Sequence, residues 1–191
     1  MPQVHLQLDK LTAFEVPELP IDSLVLKNQV IVATENRQVA DNEHPCQDLA
    51  KRVCLNLENL QCFEVVERQY QRNGVVFQNC IALLPSNPAF PTRGKKVLMG
   101  APKSGMLEAT FECPVQLVTA LVTSSQRLVW TAYDRDRNVL TQSILPSANL
   151  ANSDSSIPPN IVLALRAKDI YRINFCAFDG QFIISDFTFS L

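Results

Sequence analysis

Asp134, Arg135, Asp136 and Arg137 set two carboxylates and two guanidinium groups in four consecutive positions, with Asn138 after them. Such a cluster could hold calcium through its acids or grip a polar ligand as a fork of opposite charges. The same residue types also make turns, because Asp and Asn hydrogen-bond their own backbone and tolerate left-handed φ. With LVWTAY before the cluster and NVL after it, turn chemistry is the reading taken. His5 and His44 are the only histidines. His44-Pro45-Cys46, with Asp41 and Glu43 upstream, has no spacing that brings three ligands to one ion. A Cys/His nucleophile would also need an orienting group and an oxyanion site. No nucleophile elbow, phosphate-binding loop or dinucleotide glycine set occurs. The chain reads as no enzyme.

Two loops carry the residue types of a binding rim. PSNPAFPTRG (85–94) presents Phe90 as an exposed aromatic platform, with Arg93 beside it. The Ser-, Asn- and Pro-rich segment 146–160 adds Asn149, Asn152 and Asp154, and such length without structure inside a domain marks a functional or mobile loop. Phe90, Arg93, Asn149, Asn152 and Asp154 are therefore the expected ligand-binding residues. Trp130 shares its alternation face with Leu128 and Ala132 and reads as core, as buried aromatics commonly do.

The elements that must position these loops are strands. LVWTAY and NVLTQSIL alternate around the polar turn, and CFEVV, VVFQNCIALL, KKVLMG, LEATFE, VQLVTALVT, IVLAL, IYRINFCAF and FIISDFTFSL read the same way. In the last, alternation puts Ile183, Phe187 and Phe189 on one face and Asp186 on the other, with Phe182 and Ile184. That charge then needs a partner among apolar neighbours. Tyr171, Ile173 and Phe175 share a face, and Val53, Leu55 and Leu57 another. CQDLAKRV reads as a short helical turn or loop, and NQVIVAT as a strand. About a dozen short strands and no strong amphipathic helix predict an all-β protein. The expected division is an N-terminal extension over 1–45, with edge strands packed on the sandwich, and a sandwich domain over 46–191.

A chain of 191 residues, 47% hydrophobic, can bury a full core. The net charge of −2 lacks the basic surplus that phosphate backbones select, so no nucleic-acid partner is expected. No basic run suggests a membrane surface, and no apolar stretch approaches a span. The N-terminus lacks signal-peptide features, which for a complete chain implies the cytoplasm. Cys46, Cys54, Cys62, Cys80, Cys113 and Cys176 read as reduced, mostly buried thiols, with Cys46–Cys54 the best alternative bridge.

VCLNLENL, YQRNGVVFQN, the PSNPAFP loop with GKKVLM, LEATFECPVQLVTALV, AYDRDRNVL, IYRINFCAFDG and FIISDFTF occur in an order that resembles the galactose-binding-like modules. The likeness is to those of bacterial surface and exported proteins with C-terminal sorting tails. It covers about 140 residues. Arg137 stands where the hairpin glycine is expected, and Ser185 where the first of two acids is expected. The resemblance implies an antiparallel jelly-roll β-sandwich with little helix, a bias toward saccharide recognition and exported relatives. It also implies a structural calcium where an acid of the last strand meets an early strand, which here would be Asp186 with Asn56 and Glu58. Calcium requires about six to eight oxygen ligands, several of them from backbone or water. A carboxylate satisfied by Arg, Lys or a backbone N–H is the other reading of Asp186. The expected function is a non-catalytic, carbohydrate-binding-like module. The alternative is an assembly sandwich, a homo-oligomer, for which VQLVTALVT speaks with apolar residues on both faces.

Overall fold

A computed structural model describes residues 31–32, 52–100 and 105–190. The described residues form ten strands and one short 3-10 turn, an all-β antiparallel sandwich. The strands are β1 (Ile31–Val32), β2 (Arg52–Cys54), β3 (Val75–Gln78), β4 (Cys80–Leu83), β5 (Val97–Gly100), β6 (Met106–Ser124), β7 (Leu128–Tyr133), β8 (Val139–Leu145), β9 (Ile161–Cys176) and β10 (Phe182–Ser190). Among the described residues no helix is long and apolar enough to cross a membrane.

Two long strands build both layers. The first part of β6 (106–111) pairs with β3 and with the last part of β9 (172–176), which pairs with β7, and β7 with β8. This is the front sheet, β3-β6-β9-β7-β8. After Thr110 the β6–β9 register shifts twice around Pro114 and Val115, with Asp169 of β9 at φ 59. Bulges of this kind bend and twist strands. Beyond the bend, the rest of β6 pairs with the first part of β9 and with β10. β10 in turn pairs with β5 and β2, β5 with β4, and β2 with β1 in parallel. This is the back sheet. LEATFE and VQLVTALVT are thus one bent strand, and so are IVLAL and IYRINFC.

Aromatic side chains from both sheets fill the space between. Trp130 stacks on Phe175 at 4.5 Å and Phe175 on Phe182 at 5.8 Å, while Phe77 meets Phe187 edge-on at 5.5 Å. Leu128, Trp130 and Ala132 are buried together, as alternation requires, and so are Val53, Leu55 and Leu57. Because Phe175 of the front sheet reaches Phe182 of the back sheet, the ends of β6, β9 and β10 near these rings lie at one rim. The β6–β7, β8–β9 and β9–β10 loops gather there.

Alternation fails at bulges. A register shift between Ile184 and Asp186 makes Ser185 an extra residue in β10. Phe182 and Ile184 therefore face the core with Phe187 and Phe189, and Ile183 turns outward onto Phe90 and Val97. Asp186 lies opposite the apolar set to which simple alternation assigned it. In β9, Ile170 rather than Tyr171 is buried with Ile173 and Phe175. Asn79, at φ 54, divides VVFQNCIALL into β3 and β4. CFEVV makes one bridge, Val65 to Ile81, instead of a strand. NQVIVAT is described at Ile31–Val32, which is strand. The rest of the 1–45 extension, its boundary, His5, His44 and most of CQDLAKRV lie outside the described residues.

Cys113 is disulfide-bonded, which corrects the expectation that the thiols are all reduced. Cys54 is free, as are Cys62, Cys80 and Cys176, so the Cys46–Cys54 bridge does not form. Burial pushes the Cys80 thiol far up from its ordinary pKa.

Candidate functional site

The register of the front sheet brings together side chains that lie far apart in sequence. Gln142 pairs with Thr131, Thr131 with Asn174, Asn174 with Glu108, and Glu108 with Gln78. Their chain neighbours Trp130, Ala132, Ile173, Phe175, Leu107, Ala109 and Phe77 are buried in the core. Side chains alternate across a strand, so this row points away from the core, with Thr131 covered by its neighbours to 5% exposure. Five strands at about 4.8 Å spacing make it roughly 19 Å long.

A second row runs beside it, from Tyr133 to Arg172, Thr110 and Val76. The Arg172 Nε lies 3.4 Å from Glu108 Oε1, joining the two rows, and both side chains keep about a quarter of their surface in solvent. A pair this exposed contributes less than about 1 kcal/mol to stability. The Gln142 amide donates to Thr131 Oγ1 at 3.0 Å. On the other flank runs an apolar row, Ile144–Val129–Cys176–Met106.

The β9–β10 loop leaves the sheet at this apolar row and carries Phe178, which is 87% exposed. The loop is braced. Ala177 N–H donates to Gly105 O, Gly180 N–H to Ala177 O, and Ser125 and Gln181 exchange two bonds through Ser125 N–H to Gln181 O and Gln181 N–H to Ser125 Oγ. Gly105 sits at φ 58, and a Cβ there would meet Ala177 O at 2.2 Å, so this close crossing requires glycine.

The residues expected to bind ligand fall elsewhere. Phe90 is no exposed platform: it is 8% exposed and packs with Val97 and Ile183 on the outer side of the back sheet, beneath the two loops. Ala151 N–H donates to Ala89 O and Asn160 Nδ2 to Pro91 O, which ties those loops together. Asn149 is fully buried. Its amide donates to Val122 O and Pro158 O and accepts from Ser124 N–H, so it holds the loop to β6. Arg93, Asn152 and Asp154 are exposed, the first two with left-handed φ of 52 and 60.

At the expected calcium position, Asp186 Oδ1 accepts from Thr188 Oγ1 at 3.2 Å and lies 3.7 Å from the Cys54 thiol. Asn56 Oδ1 is turned onto Glu58 N–H at 3.0 Å, a local turn. Among the described residues no three His, Cys, Asp or Glu side chains converge to hold a metal. At the hairpin tip Asp134 accepts from Asn138 Nδ2 and from the N–H groups of Asn138 and Asp136. The Asn138 side chain first, then these backbone bonds, hold its carboxyl below the usual range. Arg135 lies 5.9 Å over the Tyr171 ring. The tip is turn chemistry, at the end away from the rim.

Sequence reasoning missed Gln142, Asn174, Glu108, Arg172 and Phe178. A faint signal exists in the polar residues alternating with core residues in YRINF and LTQS. Only the register shows that they form rows.

No protein-family model matches the chain, and no curated protein does. Among solved structures, the carbohydrate-binding module TmCBM61, determined in complex with β-1,4-galactotriose, is similar at 8% identity and a TM-score of 0.29. The match covers 63% of this chain and 88% of that one. This likeness places the chain in no family.

Proposed function

We propose that this chain is a non-catalytic recognition module whose front sheet binds a neutral saccharide. The observation that carries this is the outward row Gln142–Thr131–Asn174–Glu108–Gln78 with Arg172 and Tyr133 beside it. A solvent-facing sheet is polar by default. These rows, however, contain no lysine and hold three carboxamides, a hydroxyl-bearing ring, a carboxylate and a guanidinium. Carboxamides donate and accept at once, which suits hydroxyl groups that do the same. The one cation and the one anion of the rows are paired with each other, so the surface offers no net charge to an anionic ligand.

The test is isothermal titration calorimetry against a panel of neutral polysaccharides with the wild type, Asn174→Ala and Arg172→Ala. Wild type binds at least one member. Each variant weakens that binding by about tenfold, the loss of one hydrogen-bonding group worth ~1.5 kcal/mol, with the melting temperature within a degree or two of wild type. No heat with any polysaccharide, or equal binding by all three proteins, overturns the reading.

A further inference from the structure

The edges of the two sheets are not alike. The free side of β4 is covered by the segment before it, through Phe63 N–H to Ala82 O, Ala82 N–H to Glu64 O and Val66 N–H to Cys80 O. β3 is covered by Phe77 N–H to Glu67 O and Val75 N–H to Tyr70 O. The first part of β9 carries Arg166 and Lys168, and charge on an edge discourages pairing. β8 has none of these devices. It pairs only with β7 among the described residues, and VLTQSIL contains no charged residue and no proline. Val139, Leu140 and Ile144 are exposed on it. An open apolar edge strand is a template for another strand.

We infer that β8 pairs antiparallel with β8 of a second copy, about a two-fold axis at Gln142. The sequence of the strand is self-complementary in that register. Gln142 meets Gln142 of the partner subunit, Leu140 meets Ile144 of the partner subunit, and Thr141 meets Ser143 of the partner subunit. Thr141 pairs with Ala132 and Val139 with Tyr133, so Leu140 is an extra residue and the bulge turns both Val139 and Leu140 to the outer face. The apolar groups at each end of the strand therefore flank Gln142 on the same side. Apolar cross-strand pairs of this kind stabilise a sheet where like charges would destabilise it, and an isologous two-fold contact closes without propagating. The two front sheets become one sheet of ten strands. The polar row then runs from Gln78 through Gln142 to Gln78 of the partner subunit, one continuous surface with two equivalent halves. The pairing itself does not depend on what that surface binds.

The experiment is sedimentation velocity on the full chain, without saccharide, over a concentration series to about 100 μM. The wild type is expected to move toward twice the chain mass of 21.4 kDa. Leu140→Lys with Ile144→Lys sets ammonium groups opposite one another in both apolar pairs and is expected to give a monomer across the series. Its circular dichroism should match the wild type, because both positions face solvent. Leu140→Glu with Ile144→Glu is also a monomer alone, and an equimolar mixture of the two variants restores the dimer. If either double variant misfolds, Ile144→Lys alone replaces it and should raise the dimer dissociation constant at least tenfold. A monomeric wild type, a dimer that ignores the lysines, or a mixture that stays monomeric overturns the inference. A dimer that binds no saccharide sinks the recognition reading and leaves this one standing.

Discussion

Replacing Asn149 by alanine tests the role that the structure assigns to it. Its side chain makes three hydrogen bonds at zero exposure: to Val122 O at 3.0 Å, to Pro158 O at 2.9 Å and from Ser124 N–H at 2.7 Å. Alanine removes all three bonds, those to Val122 O and from Ser124 N–H buried and that to Pro158 O part-buried. At about 1 kcal/mol for each bond, and somewhat more where a buried group stays unsatisfied, the loss is about 3–4 kcal/mol. With a urea dependence of ~2 kcal/mol per molar, the unfolding midpoint falls by roughly 1.5–2 M. Asn149→Asp is the sharper variant. It keeps an acceptor for Ser124 N–H but turns carboxylate oxygen toward two carbonyl oxygens. The charged form is therefore disfavoured and the variant's carboxyl pKa is raised. A raised folded-state pKa gives stability that is present below the unfolded value, about 4, and is lost as pH rises through the folded one. Asn149→Asp should thus be weaker than Asn149→Ala at pH 7 and recover toward pH 4. Urea titrations at both pH values, with hydrogen exchange over 146–160, read this directly. A loss below about 1 kcal/mol for Asn149→Ala, or no pH dependence specific to the aspartate variant, would refute the assignment.

Two further outcomes follow from buried polar groups. Trp130 is fully buried, and its indole N–H has no partner among the described residues. Trp130→Phe removes an unsatisfied donor along with ring volume, so it should cost less than about 2 kcal/mol in thermal melts, while Trp130→Ala costs about 3–5 kcal/mol. The Tyr70 hydroxyl donates to Asn56 O at 2.7 Å, and burial raises its pKa well above the ordinary 10.0. The stability tied to its neutral form is complete below pH 10 and declines as pH rises above it. A Tyr70→Phe variant, with no proton to lose, should show a shallower alkaline decline in melting temperature.

Much of the fold is legible because alternation is a local property. Leu128, Trp130 and Ala132 declare their face in five residues, and Leu107, Ala109 and Phe111 do the same. Alternation is also fragile: one extra residue reverses every later assignment. Ser185 does this in β10, where Ile183 was grouped with Phe187 and Asp186 with Ile184. Nothing in FIISDFTF marks the bulge. LEATFE and VQLVTALVT read as two strands, yet the chain keeps pairing past Pro114 by bending. The candidate site was the least legible part. Asn149 was expected to bind ligand and is instead seen bonding Val122, Pro158 and Ser124, because an amide that seals a loop and an amide that binds a ligand look the same in one dimension. The row from Gln142 to Gln78 depends on four strand registers, and each is set by contacts across the sheet.

The two strands that cross from one layer to the other also govern how the chain folds. β6 contributes to both sheets, and its back half stays half-paired until β10, the latest strand in chain order, slots in beside it. The front sheet depends on the last part of β9, and the aromatic stack is incomplete without Phe182. During synthesis, then, the front sheet has all its strands once residue 176 has emerged, whereas the back sheet and the aromatic stack wait for residues 182–190. Until β10 docks, the back half of β6 keeps an apolar edge exposed, and closing the back sheet is a late, long-range step. Such a topology folds slowly and lives longest in the state most prone to aggregate. This chain's demand on chaperones should therefore peak before β10 docks, rather than in the finished molecule.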